Sequence, residues 1–128
     1  MKENNPYLTS EERALALEKF KEAKKKLDEA ANDDEKFGAY MDIGFQYSVF
    51  LDYENAKKSF AKAANIKPDN YVVYVALYQV EADMKDNESA RDNIKRAISL
   101  KEDNPDLWKK YIQLETERFS ANKETLDG

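Results

Sequence analysis

Apolar side chains recur along most of the chain at steps of three and four residues, in segments separated by short polar breaks. The N-terminal quarter shows this spacing at Ala16, Phe20, Ala23, Leu27 and Ala30. Such a spacing places the apolar side chains on one face of an α-helix and leaves the charged residues on the other. We therefore predict a long amphipathic helix over residues 10–31.

Polar clusters between the apolar segments provide the start and stop signals of helices. Thr9 or Ser10 can cap the first helix, and Glu12 then completes an arrangement close to a capping box. Later breaks place Asp or Asn before an apolar segment at residues 32–34, at Asp52 and at residues 68–70. These signals predict a series of helices joined by short turns.

The chain also repeats itself at an interval of 34 residues. Tyr40, Tyr74 and Trp108 share one position of the repeat, and Ala56 and Ala90 share another. A unit of this length cannot bury its apolar face alone, so copies stack on their neighbours in a helical solenoid. The repeat therefore predicts an all-α solenoid of antiparallel helical hairpins, with about six helices.

One segment of the repeat has a composition that favours a different structure. Residues 71–78 are rich in valine and tyrosine, and β-branched and aromatic residues favour a strand when they are considered alone. The segment nevertheless keeps the register of the repeat, so we predict a helix here.

The first complete unit covers residues 37–70. Its characteristic positions are Tyr40, Ile43, Gly44, Tyr47, Ala56, Phe60, Ala63 and Pro68. This spacing resembles the tetratricopeptide repeat family, with tyrosine where that family often has tryptophan. Gly44 and Ala56 allow two antiparallel helices to approach closely, while Tyr40, Tyr47 and Phe60 fill the space around them.

The second unit, residues 71–104, departs from the pattern in several places. It keeps Tyr74, Leu77, Ala90, Ile94 and Ala97. It has Tyr78 at the glycine position, Glu81 at the second tyrosine position and Glu102 at the proline position. Its membership of the repeat therefore depends on register.

The resemblance also implies an overall organisation, a right-handed superhelix within one domain, residues 1–128. We expect residues 10–31 to cap the two hairpins at one end and residues 105–119, which repeat the opening of a unit, to cap them at the other. Residues 120–128 are polar and lack periodicity, so we expect a disordered tail.

In the family that this chain resembles, the first helices of successive hairpins line a concave groove that accepts a peptide or a helix of a partner. The corresponding positions here are Met41, Phe45, Val49, Val72, Val75, Gln79 and Gln113. Their apolar members suit an amphipathic helix or an extended peptide, and the two glutamines offer side-chain amides to its backbone. The resemblance thus implies a protein-interaction adaptor whose partner the sequence does not identify.

Two alternatives to an open groove remain. The same side chains can be core residues covered by the N-terminal helix or by the arm at Tyr7 and Leu8. They can also pair between copies of the chain, which would make the protein a self-associating structural module. Mass measured across a concentration series separates self-association from adaptor function.

Composition restricts the class of partner and the location. The chain has 26 acidic and 21 basic residues and a formal net charge of -5, which opposes non-specific attraction to nucleic acid and anionic membranes. Basic residues such as Lys57 and Arg91 recur on the outer helices. Other basic residues on these helices follow an acidic residue by four positions, which is the arrangement of a solvated helix face. There is no apolar stretch of about 18 residues and no signal-peptide core, so we expect a cytoplasmic protein, or a soluble fragment of an exported or anchored parent.

The chain offers few residues for catalysis. It contains no histidine and no cysteine, which excludes an imidazole base, a thiol nucleophile and a Cys/His zinc site. Its acidic residues lack the spacing of a calcium loop, and its 3 glycines form no phosphate-binding loop. We predict a non-enzymatic protein without cofactor or metal.

Overall fold

The computed structural model describes residues 5–127, with side chains through residue 117. Over this range the chain is all-α and has no strand. The described residues form six helices, α1 (Ser10–Glu29), α2 (Asp33–Val49), α3 (Tyr53–Ile66), α4 (Tyr71–Asp83), α5 (Asn87–Leu100) and α6 (Pro105–Asp127). The predicted all-α fold with six helices is confirmed.

The helices belong to two compact units, Met1–Asp69 and Asn70–Gly128. In the first unit α1 packs on α2 and α2 packs on α3. In the second unit α4 packs on α5 and α5 packs on α6. Helices that follow one another are therefore neighbours within each unit, as expected of a helical repeat. The division falls one residue before the predicted boundary between repeat units.

The predicted N-terminal cap is confirmed at Thr9. Its hydroxyl accepts a hydrogen bond from the backbone N–H of Glu12 at 3.1 Å, and the Glu12 carboxylate accepts one from the Thr9 N–H at 3.0 Å. Hydrogen bonds to the Glu12 carboxylate, first from the Thr9 backbone and then from the Thr9 side chain, favour its ionised form and lower the pKa of Glu12. α1 ends at Glu29, slightly before the predicted end at residue 31.

The later helices begin at the polar breaks. The side chain of Asn32 accepts from the Glu35 N–H at 2.9 Å, and that of Asn70 accepts from the Val72 N–H at 3.0 Å. Asp52 holds the N-cap position of α3, where its carboxylate accepts from the side-chain amide of Asn55 at 2.8 Å. Capping side chains thus position the starts of the helices in both units.

The two hairpin turns have the same backbone geometry. The middle residue of each turn, Leu51 or Lys85, has positive φ, 59° and 65°. The N–H of the next residue, Asp52 or Asp86, donates to a helix carbonyl five residues earlier, at 2.9 Å in both turns. The 34-residue repeat of the sequence is therefore also a repeat of the backbone.

The first hairpin closes around Gly44 and Phe60. A Cβ atom at Gly44 would lie 2.5 Å from Cε1 of Phe60, so the ring occupies the space that any other residue would fill. Ala56 and Ala63 of α3 are completely buried. Gly44 and Ala56 thus allow the close helix packing that the sequence predicts.

α1 covers one face of α2. Phe20 and Ala23 form a buried cluster with Ile43, and Tyr47 packs against it. The rings of Phe20 and Tyr47 meet edge to face, with centroids 5.0 Å apart. The N-terminal helix is therefore an integral layer of the first unit.

α4 is a helix from Tyr71 to Asp83. The register of the repeat predicts this helix, whereas the local β-propensity favours a strand. Its buried residues lie on nearly all sides of the helix and include Val73, Tyr74, Leu77, Tyr78 and Val80. The second hairpin also closes although Tyr78 replaces glycine, and the smaller Ile94 stands where the first hairpin has Phe60. Burial by tertiary packing outweighs the strand propensity.

The structure differs from the expected disordered tail. α6 does not end at about residue 119 but continues to Asp127. No proline or glycine interrupts the sequence between Pro105 and Gly128, so nothing forces the helix to stop.

Within the described residues, no helix has the length and hydropathy that crossing a membrane requires.

Candidate partner-binding surfaces

The predicted groove residues fall in both units. Met41, Phe45 and Val49 lie on α2 in the first, and Val72, Val75 and Gln79 on α4 and Gln113 on α6 in the second. Each unit presents its own apolar surface.

Phe45 is the most exposed of the predicted residues on α2, with 46% of its surface accessible. Its ring packs edge to face on Phe60, with centroids 5.1 Å apart, so its position is well defined. α1 packs against Ile43 and Tyr47, which lie on the opposite side of α2 because each is two residues from Phe45. The N-terminal helix therefore does not cover Phe45.

Met41 differs from the prediction, because its side chain is only 6% exposed. An unbranched thioether side chain fills irregular gaps in a core, and here it forms part of the interior. Val49 is half-buried, and its carbonyl accepts from the Asn5 side-chain amide at 2.9 Å. The N-terminal arm is thus fastened to the end of α2, but Tyr7 is 87% exposed and covers nothing with its ring.

The second unit contains a surface pocket of about 440 Å³ between α4 and α6. Three predicted residues, Val72, Val75 and Gln113, line this pocket together. Its other lining residues are Tyr71, Asn104, Asp106, Leu107, Lys109 and Lys110. Val72 is 43% exposed, so an apolar side chain is accessible from solvent at this site.

Charged groups surround the apolar part of the pocket. Two lysines, Lys109 and Lys110, outnumber the single carboxylate of Asp106 among the lining residues. The side chain of Asn104 accepts from the Asp106 N–H at 3.0 Å and so holds the start of α6 beside the pocket. The lining favours an apolar ligand group with a neighbouring negative charge.

The two predicted glutamines behave differently from each other. Gln79 is exposed and lies outside the pocket, where its amide is 3.3 Å from the Asp83 carboxylate. Gln113 lines the pocket, and its amide is 3.3 Å from the Glu117 carboxylate. These distances are long for hydrogen bonds, so both amides are weakly engaged within their own helices.

Sequence analysis missed Leu107, an apolar residue of the pocket lining that is buried. The repeat contains the signal, because Ala39 and Val73 precede it at the same 34-residue interval and are also buried. The sequence signal is that all three equivalent positions are apolar.

Among the described residues, no three or more acidic side chains lie close enough together to hold a metal ion. The pocket provides lysine, asparagine, glutamine and a single carboxylate, a set that can form hydrogen bonds and ion pairs with a ligand.

A comparison with known protein families gives no match, and no curated protein shows significant sequence similarity to the chain. The assignment of residues to a repeat therefore depends on the chain's own 34-residue periodicity and on its structural counterpart.

Proposed function

We propose that the chain is a non-enzymatic protein-interaction module of tetratricopeptide-repeat type, which holds a peptide or helix of a partner protein in an apolar groove. The observation that supports this most directly is the pocket of the second unit. Val72 and Val75 of α4 and Gln113 of α6, which is distant from them in sequence, line the same concave surface. An exposed apolar surface surrounded by polar groups is typical of a site for a protein ligand.

The repeated backbone supports the family assignment. In the first hairpin the Lys62 ammonium lies 5.6 Å from the ring centroid of Tyr40, and in the second the Arg96 guanidinium lies 4.8 Å from that of Tyr74. Both partners of the second pair stand 34 residues after those of the first. The units therefore share side-chain contacts as well as turns.

The pocket also defines a ligand chemistry. Its volume of about 440 Å³ suits a few side chains of a peptide rather than a whole helix. An apolar anchor would contact Val72 and Val75, and a carboxylate nearby would pair with Lys109 or Lys110. The proposed ligand is a segment with a large apolar residue and an acidic neighbour.

A self-associating structural module is the second candidate, because Phe45 and Val72 expose apolar surface that a second copy could cover. Under this alternative, light-scattering mass would rise with concentration, and Val72→Asp or Phe45→Asp would abolish the rise. Under the adaptor function, the mass would stay that of one chain.

Val72→Asp is a precise test of the adaptor function. Val72 is the second residue of α4, where aspartate interacts favourably with the helix dipole, so the substitution leaves folding intact. It introduces a charge into the apolar lining of the pocket. Leu15→Asp, at an exposed apolar residue of α1, is the matched control.

The measurement is a selection from a displayed library of random peptides on the wild-type protein. We expect enriched peptides to contain an apolar residue beside an acidic one, to lose most of their binding to Val72→Asp, and to retain it with Leu15→Asp. Failure to enrich any peptide, or equal binding to both variants, would contradict the proposal.

A further inference from the structure

A second surface of α6 lies on the side away from the pocket. Tyr111 and Ile112 lie three and four residues after Trp108, and Glu115 lies four and three residues after them, so the four residues form one stripe along the helix. Trp108 is 45% exposed and Ile112 is 60% exposed. The pocket instead uses Lys109, Lys110 and Gln113 from α6. We refer to the first four residues as the α6 stripe.

The equivalent stripe of α4 is covered. Its residues, 34 positions earlier, are Tyr74, Leu77, Tyr78 and Glu81, and all four are buried. α5 packs on this helix, places Arg96 over the ring of Tyr74, and donates the Asn93 side-chain amide to Glu81. The second helix of the hairpin thus covers Tyr74 and Glu81 of this stripe.

The first hairpin repeats this arrangement at the positions equivalent to Trp108 and Ile112, whereas the positions equivalent to Tyr111 and Glu115 are Ile43 and Tyr47, which pack against α1. α3 places Lys62 over the ring of Tyr40 and inserts the Phe60 ring against Gly44. In both hairpins, therefore, a second helix supplies a large apolar residue and a cation two residues later.

α6 has no such second helix among the described residues. Both α2 and α4 end in a turn, at Leu51 and Lys85, but α6 continues through the equivalent region to Asp127. The α6 stripe borders a depression of about 300 Å³ whose lining includes Ile98, Trp108 and Tyr111. The Trp108 indole N–H donates to the Glu102 carbonyl at 3.1 Å, which fixes the ring beside this depression.

Glu115 lies at the edge of the α6 stripe that is beside α5. Its Oε1 is 3.9 Å from Nη1 of Arg91 on α5, and both this oxygen and Nε of Arg91 are buried without a hydrogen-bond partner among the described residues. A donor for Glu115 is therefore available on α5, and the uncovered part of the stripe is Trp108 and Ile112.

We propose that the α6 stripe is the docking site for a single amphipathic helix of another protein, with the residue pattern of α5. The required features are small residues at the positions of Ala90 and Ala97, a branched apolar residue at that of Ile94, and a cation at that of Arg96. α3 and α5 have this pattern, but their Ala56, Ala63, Ala90 and Ala97 are completely buried. A second copy therefore has no described helix of this pattern free to bind, which favours a different protein.

The test uses a peptide of residues 86–101 of this chain, linked covalently between positions 88 and 92 to stabilise its helix. Both linked positions are exposed in α5. The chain contains 1 Trp, and the peptide contains none, so the fluorescence of Trp108 reports binding directly. The variants are Ile112→Asp on the stripe and Val72→Asp in the pocket, both at exposed residues.

We expect the peptide to shift the Trp108 emission saturably, with a dissociation constant of roughly 10–100 µM. Ile112→Asp should weaken binding by at least about tenfold. Val72→Asp should leave it unchanged, because Val72 is on α4 and lines the pocket, which lies on the other side of α6 from Ile112. Replacing the peptide's residue Arg96→Glu should weaken binding several-fold by removing the cation from the indole ring.

Three results would overturn the proposal. The first is the absence of saturable binding up to about 1 mM peptide. The second is equal binding of the peptide to the wild type and to Ile112→Asp. The third is a protein mass that rises with protein concentration and that Ile112→Asp returns to the mass of one chain. The last would assign the stripe to self-association. Because the stripe and the pocket are tested by different substitutions, failure here leaves the proposed peptide-binding function standing.

Discussion

The ring of Phe60 lies against Gly44 so closely that an added Cβ atom would be 2.5 Å from its Cε1 and 2.8 Å from its Cζ. Phe45 packs on the same ring, and Phe60 is almost completely buried, so the ring has little room to move. Gly44→Ala should therefore lower the free energy of unfolding by roughly 1–3 kcal/mol through overpacking. Chemical denaturation of the purified variant measures the change.

Gly38 in the same helix is the control, because an added Cβ atom there meets nothing within 4 Å. Gly38→Ala should raise the free energy of unfolding by about 0.5–1 kcal/mol through helix propensity. If Gly44→Ala and Gly38→Ala changed the free energy of unfolding in the same direction, this result would contradict the close contact between Gly44 and Phe60.

The left-handed backbone at Lys85 gives a second prediction. A non-glycine residue in this conformation costs roughly 1–2 kcal/mol, and glycine removes that strain but adds freedom to the unfolded chain. Since Lys85 has φ of 65° and is exposed, Lys85→Gly should be neutral or should stabilise the protein by up to about 1 kcal/mol. Thermal and urea unfolding check this.

The comparison is Lys58→Gly, at an exposed position inside α3. Glycine in a helix interior should cost about 1 kcal/mol relative to a good helix former. Equal losses for the two lysines would mean that the turn has no strain to relieve.

The buried carboxylate of Glu81 gives a third prediction. Asn93 donates its side-chain amide to Glu81, which is 1% exposed. Removing this donor with Asn93→Ala should lower the free energy of unfolding by about 1–3 kcal/mol. Asp92→Ala, at the exposed neighbouring position, gains a similar helix propensity without losing a buried contact. If both alanine variants unfold at the same denaturant concentration, the contact does not stabilise the second unit.

The fourth prediction concerns alkaline pH. Burial, followed by the negative charges of Glu117 and Asp83, raises the pKa of Tyr78 above its ordinary value of 10.0. The folded state therefore holds this proton more tightly than the unfolded state. The resulting stabilisation is fully present below about pH 10 and is lost as the pH rises through the folded-state pKa.

Tyr78→Phe lacks this proton and should lose less stability than the wild type as the pH rises above about 10. The measurement is the unfolding midpoint in urea at several pH values. Parallel pH profiles for the two proteins would show that the Tyr78 hydroxyl does not contribute.

The helices were predictable where periodicity and capping residues agree. Asn32 and Asn70 begin helices at the expected breaks, and α4 is helical because its register places Val73 and Leu77 in the interior. The end of α6 was not predictable from polarity alone, because a polar segment without proline or glycine can continue a helix that has already started.

The candidate site was predictable only in part, because neither apolar character nor equivalence in a repeat determines burial. Met41 and Phe45 are both apolar and one helical turn apart, yet the first is buried and the second is exposed. Likewise Tyr74 is buried while Trp108 is not. What covers each position depends on the neighbouring helix, which the spacing of a single chain does not reveal.

The identical turns at Leu51 and Lys85 make the chain modular in length. Each turn residue is followed by aspartate at the helix start, so a duplicate of residues 52–85 inserted after Lys85 would restore a Lys–Asp junction. At each end, the insert would join the chain through a turn of the geometry that it has in the present structure. Gene duplication could therefore add a helix pair without inventing a new loop.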